Sequence, residues 1–90
     1  MARIIFRTYA ASVTFYSMAE SMWANARDEN EGEKMHAAGR LADATDGIIA
    51  ADDAGGGIEV HIADGDADMA RAVIQNIRDN EDEIDARVEA

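Results

Sequence analysis

Residues 62–73, IADGDADMARAV, place Asp64, Asp66 and Asp68 at alternate positions, a spacing that can turn several carboxylates onto one cation. A calcium loop of the helix-loop-helix type also needs glycine at its sixth position and glutamate at its twelfth. Counted from Asp64, those positions hold Met69 and Gln75, so both requirements fail. The reading that explains these residues better is the acidic start of a helix. There a carboxylate caps free backbone N–H groups, and others complement the helix dipole.

A second cluster lies just upstream. Glu59 and His61 share one side of an alternating stretch, with Asp64 and Asp66 close behind, a donor set of transition-metal or acid–base type. The plainer expectation is an exposed strand face carrying ordinary polar residues. Glu59, His61, Asp64, Asp66 and Asp68 are therefore only weak metal candidates, and no cofactor is expected. Nucleophilic chemistry has less to draw on. The chain has no cysteine. None of its serines sits in a Gly-x-Ser-x-Gly turn, and Gly55-Gly56-Gly57 lacks the lysine and hydroxyl of a phosphate-binding loop. The expectation is a protein that is not an enzyme.

The charge is the stronger signal. Nineteen acidic residues against eight basic give a net charge of −11. Through Ala26 the only charged residues are Arg3, Arg7 and Glu20; every other one follows. An apolar first third thus precedes an anionic remainder. Such a field disfavours nucleic acid and anionic membrane as direct partners and favours basic protein surfaces. The residues expected to meet a partner are Asp28, Glu29 and Glu31, then Asp52 and Asp53, then Asp79, Glu81, Asp82, Glu83 and Asp85. Carboxylates displayed on a helical body can imitate the phosphates of a duplex and occupy a basic nucleic-acid-binding groove. In size and charge the chain resembles the small acidic proteins with which phages counter restriction and CRISPR systems. That is a likeness of type, resting on no shared motif.

Two other readings stand beside this one. Lys34 is the only lysine, and abundant acid with almost no lysine is also the composition of halophilic proteins. In that case the acidity is adaptation within an ordinary oligomeric domain. Alternatively, Tyr9, Tyr16 and Trp23, spaced by seven, line one side of a helix. With Arg3 and Arg7 they could form an oligomer face or hold a planar, nucleotide-like ligand.

These residues must be positioned by a mainly α fold, with α+β as the alternative. Ile5, Tyr9, Val13, Tyr16, Ala19, Trp23 and Ala26 recur at steps of three and four, which predicts a helix over about 3–28. The β-branched and aromatic start of that stretch, RIIFRTY at 3–9, is equally suited to a strand. Asn30 with Glu33 reads as a capping box opening a second helix over about 31–52, folded back on the first as a hairpin. That helix carries Met35, Ala38, Leu41, Ala42, Thr45, Ile48 and Ile49 on one face. A glycine linker at 54–57 leads to a short strand at 57–63 with Ile58, Val60 and Ile62 inward. Its partner is either residues 3–9 or the same strand of a second subunit. A third helix is expected over about 66–88, with Met69, Val73, Ile77, Ile84 and Val88 facing inward. Ninety residues without disulfides make one small domain, for which a homo-oligomer is the expected way to gain burial. No apolar run is long enough to span a membrane, and Thr8, Ser12, Thr14, Ser17 and Glu20 interrupt the N-terminal one. The location expected is the cytoplasm.

Overall fold

The computed structural model describes residues 2–51, 58–80 and 82–90. Three helices cover one face of a small antiparallel sheet, in the order β1 (Ala2–Phe6), α1 (Tyr9–Asp28), α2 (Gly32–Ala51), β2 (Ile58–Ile62), α3 (Ala67–Asp79) and β3 (Ala86–Glu89). A 3-10 turn at Asp64–Asp66 leads into α3. The strand order is β2-β1-β3, so the N-terminal strand lies at the centre. The linker reading at 54–57 falls outside the described residues.

The first helix does not begin at residue 3. Ala2–Phe6 form a strand whose Ala2, Ile4 and Phe6 are fully buried while Arg3 and Ile5 turn to the other side. Two residues later Thr8, in extended conformation, accepts a hydrogen bond from the Ala11 N–H at 3.1 Å and opens α1. A threonine before a helical stretch is an N-cap signal, and here it marks where the strand must end. The predicted strand 57–63 exists as Ile58–Ile62, and of its two possible partners it takes β1. Ala2 pairs with Ile62, Ile4 with Val60 and Phe6 with Ile58.

The reach of the first helix's stripe is also revised. Ala11, Ser12, Phe15, Ala19 and Ala26 are its buried residues, whereas Tyr9, Tyr16 and Trp23 are half-buried and Val13 is 38% exposed. The helix is rotated so that Phe15 meets Phe6, ring centroids 5.3 Å apart in an edge-to-face arrangement.

The turn between α1 and α2 works differently from a capping box. Asn30 has φ of 58°, and its N–H donates to Arg27 O while the Glu31 N–H donates to Ala26 O at 2.8 Å. This pattern closes the C-terminus of α1 with a left-handed residue. Glu31 O then accepts from the Met35 N–H at 2.9 Å and starts α2. Asn30 is tolerated there because its short polar side chain suits the left-handed region. Asn30→Ala is expected to lose about 1 kcal/mol in chemical denaturation, and Asn30→Gly to lose none. Equal loss in both variants would show that the side chain, not the backbone conformation, matters.

On α2, Ala38, Leu41, Ala42 and Thr45 are buried as their spacing predicts. The expected contributions of Ile48 and Ile49 fall outside the described side chains. The third helix is shorter than expected, ending at Asp79 instead of near residue 88. Asp79, Asp82 and Glu83 follow at the helix C-terminus with the wrong sign for its dipole. Asn80 instead closes the end, its side-chain amide donating to Asn76 O at 3.0 Å. Ile84 is still buried, but from the connection, and residues 86–89 pair with β1 as a third strand. Val73 and Ile77 face inward as predicted, joined by Ala70 and Ile74.

Candidate functional site

The strand alternation that buries Ile4 and Phe6 places Arg3, Ile5, Glu59, His61, Arg87 and Glu89 together on the open face of the sheet. Arg3 bridges both neighbours there: Nη1 lies 2.8 Å from Glu59 Oε1 and Nη2 lies 2.7 Å from Glu89 Oε1. Arg87 Nε donates to Glu89 Oε2 at 2.8 Å. Hydrogen bonds from Arg87 and Arg3 hold the Glu89 carboxyl below the usual carboxylate range, and the Glu59 bond raises the Arg3 guanidinium. His61 Nε2 is 3.5 Å from Glu59 Oε1. Glu59 and His61 do come together, but Asp64, Asp66 and Asp68 do not join them, and among the described residues no three His, Asp or Glu side chains are arranged to hold a metal ion.

The aspartate run is divided by its neighbours. The Asp66 side chain is 6% exposed, and its two oxygens take Arg40 Nη2 and Nε at 2.7 and 2.9 Å. It makes no capping bond to α3, so the capping role expected of the run is not what Asp66 does. Its carboxyl is held below the usual range by the Arg40 hydrogen bonds, against an opposing effect of burial. Asp68 lies in the first turn of α3 and is 3.1 Å from Arg71. Beside this pair is an open cavity of about 560 Å³ where Lys34, His36 and Arg40 meet Glu33, Asp66 and Asp68. Its charges are mixed: Arg40 is taken by Asp66 within it, while Lys34 and Asp68 pair with Glu31 and Arg71 outside it.

The aromatic spacing leads elsewhere. Tyr16 donates to Glu20, a bond that, with partial burial and the nearby Asp46 and Asp43 carboxylates, raises its hydroxyl above the ordinary phenol value. Trp23 lies against Gly39, where an added Cβ would come within 3.2 Å of ring Cδ1, so glycine makes room for the indole. Arg27 covers the ring at 4.8 Å and also reaches Asp28. Between these helices Glu20, Trp23, Gly39, Ala42 and Asp43 line a groove of about 300 Å³. Tyr16 and Trp23 thus lie beside carboxylates. Arg3 is on the opposite side of the sheet, because its Cβ alternates away from the buried Ile4. Arg7 lies at the strand end, its Nε 3.8 Å from Asp85. The arginines and aromatics expected to enclose a planar ligand are therefore not one site. Tyr9 packs half-buried against the core.

The acidic residues expected at a partner surface divide into two groups, exposed except for the half-buried Glu31. Asp28, Glu29 and Glu31 surround the α1–α2 turn, with Lys34 3.6 Å from Glu31. Asp79, Asp82, Glu83 and Asp85 follow the end of α3. Asp52, Asp53 and Glu81 lie outside the described residues. Reasoning from sequence missed the gathering of Glu20, Asp43 and Asp46 around Tyr16. The signal was present as Tyr16 and Glu20 four apart and Asp43 and Asp46 three apart, each pair on one helix face. Arg3, Arg7, Arg27, Lys34, Arg40, Arg71 and Arg87 are each within ion-pair distance of some carboxylate. Glu20, Asp43 and Asp46 have no cation among the described residues.

No helix among the described residues is long and apolar enough to cross a membrane. Comparison with protein-family models, curated proteins and solved structures finds no match to this chain.

Proposed function

We propose that the chain is a non-enzymatic acidic binding protein that blocks the basic groove of a nucleic-acid-binding protein by presenting carboxylates in place of phosphates. The observation that carries this reading is the uncompensated set Glu20, Asp43 and Asp46 on the exposed side of the α1–α2 hairpin, around Tyr16. Most cations of the chain are spent on other carboxylates, so this side keeps its negative potential. The exposed Glu29, Asp82 and Glu83, likewise in no ion pair among the described residues, extend that field. A rigid helical display lowers the ordering cost of meeting arginines and lysines on a partner.

The test is competition. A labelled duplex is bound to purified basic DNA-binding nucleases of restriction and CRISPR type, and the protein is titrated in at low salt. Displacement that weakens steeply as salt rises is expected. Glu20→Gln with Asp43→Asn and Asp46→Asn should raise the half-displacing concentration about tenfold, since three exposed pairs at roughly 0.5 kcal/mol each amount to that factor. Equal displacement by the triple variant, or none by the native chain, would sink the reading. A companion melt in about 0.1 M and about 3 M KCl separates adaptation from function. Folding only at the higher salt would assign the acidity to halophilic maintenance.

A further inference from the structure

The sheet ends on one side at β2, whose outer edge pairs with no other strand among the described residues. The hydrogen-bond phase of the sheet is set by the Arg7 N–H, which donates to Asp85 O at 3.0 Å. Antiparallel pairs alternate between hydrogen-bonded and non-hydrogen-bonded, so Ile5 and Arg3 also turn their backbone groups toward β3. Ala2, Ile4 and Phe6 then turn theirs toward Ile62, Val60 and Ile58. Glu59 and His61 are left with N–H and C=O groups pointing outward from the edge.

The sequence of this strand, Ile58-Glu59-Val60-His61-Ile62, is a palindrome of apolar and polar positions about Val60. We infer that β2 pairs antiparallel with the β2 of a second copy across a two-fold axis at Val60, making a six-stranded sheet with all helices on one face. Val60 then faces its counterpart as a non-hydrogen-bonded pair. Glu59 lies opposite His61 of the partner subunit, and His61 opposite Glu59 of the partner subunit. Both are hydrogen-bonded pairs that satisfy the outward backbone groups. Ile58 opposes Ile62, so apolar meets apolar on the covered face. On the open face each carboxylate meets an imidazole, and no like charges oppose one another across the axis.

Glu59 has an acceptor to spare: its contacts to Arg3 and His61 both fall on Oε1. The edge also lacks the lysine, proline or bulge by which sheets discourage such pairing. At the other edge, a two-fold at Val88 would set Arg87 against Glu89, but these already bind one another, and Glu89 also binds Arg3. The four residues there also offer only the small Ala86 and Val88 to the covered face.

Residue-resolved hydrogen exchange of the native protein tests this directly. The Glu59 and His61 amides point away from β1 and pair with no other strand among the described residues, so their protection should appear only as concentration rises. The Val60 amide, bonded to β1, should be protected throughout and reports that the fold is intact. His61→Pro removes the outward N–H and the imidazole but no hydrogen bond to β1. It should give a monomer by light scattering with Val60 still protected. His61→Glu sets carboxylates opposite one another and should raise the dimer dissociation constant on the order of tenfold. A monomer at millimolar concentration, or a dimer in which the Glu59 and His61 amides remain fast, overturns the inference. Because none of these readouts involves a nucleic-acid-binding protein, failure here leaves the proposed function standing or falling on its own competition test.

Discussion

Phe15→Ala should destabilise the fold by about 3–5 kcal/mol, a large share of the roughly 5–13 kcal/mol expected for a domain of this size. Phe15 is completely buried and packs edge-to-face on Phe6, which is equally buried. The pair joins the helical hairpin to the central strand, so the cavity left behind would have walls on two different elements. Such a site cannot collapse by moving one helix alone. The melting temperature should fall by roughly 15 °C or more. Phe15→Leu keeps most of the volume and should lose less than about half as much. A Phe15→Ala loss under about 1 kcal/mol in urea unfolding would mean that α1 is not seated on the sheet through this ring.

Next in expected effect is an asymmetry between two partners of one ion pair. Asp66 is almost wholly buried, with 6% of its side chain exposed, while Arg40 is 58% exposed. Arg40→Ala strands a buried carboxylate, which costs about 1–3 kcal/mol. Asp66→Ala merely releases a guanidinium into solvent and should cost less. The double variant should be closer to Asp66→Ala than to the sum. Acid supplies an independent check. The Asp66 carboxyl is held below its ordinary value in the folded state, so its contribution is fully present above the unfolded value near 4. It is lost as pH falls through the lower, folded value. Native protein should therefore lose stability over that interval more steeply than Arg40→Ala, measured by melts from pH 6 to pH 2. Parallel curves would show that the pair contributes nothing.

Neither of these sites was visible as such in the sequence, for a reason that the residues make plain. Phe6 and Phe15 are nine apart across a strand-to-helix turn, and Arg40 and Asp66 are 26 apart. Side chains at those separations meet only through chain folding, and no local period records them. The charged residues of the open sheet face are a similar case. Arg3 and Glu89 are 86 positions apart and share two hydrogen bonds. The aromatic spacing of seven, by contrast, was local and correctly placed Tyr9, Tyr16 and Trp23 along one side of α1. What the spacing could not say is that this side is only half-buried, with carboxylates from α2 beside it.

By itself the sequence determined the helical hairpin, the inward face of α2 from Ala38 to Thr45, the inward residues Val73 and Ile77 of α3, and the alternating strand at Ile58–Ile62. Those stretches are long or regular enough that one period fits and the other does not. The two ends of the chain were decided by tertiary structure. Ile5 and Tyr9, and again Ile84 and Val88, are four apart, a spacing that a helix face satisfies as well as alternation does. Local propensity is nearly neutral between them. Ala2–Phe6 became a central strand because it has edges for both β2 and β3, and Ala86–Glu89 left the helix because that edge was open to it. A backbone that can satisfy its N–H and C=O groups either along a helix or across a sheet follows whichever also buries its apolar side. For residues 2–6 and 86–89, only the assembled sheet supplied that side.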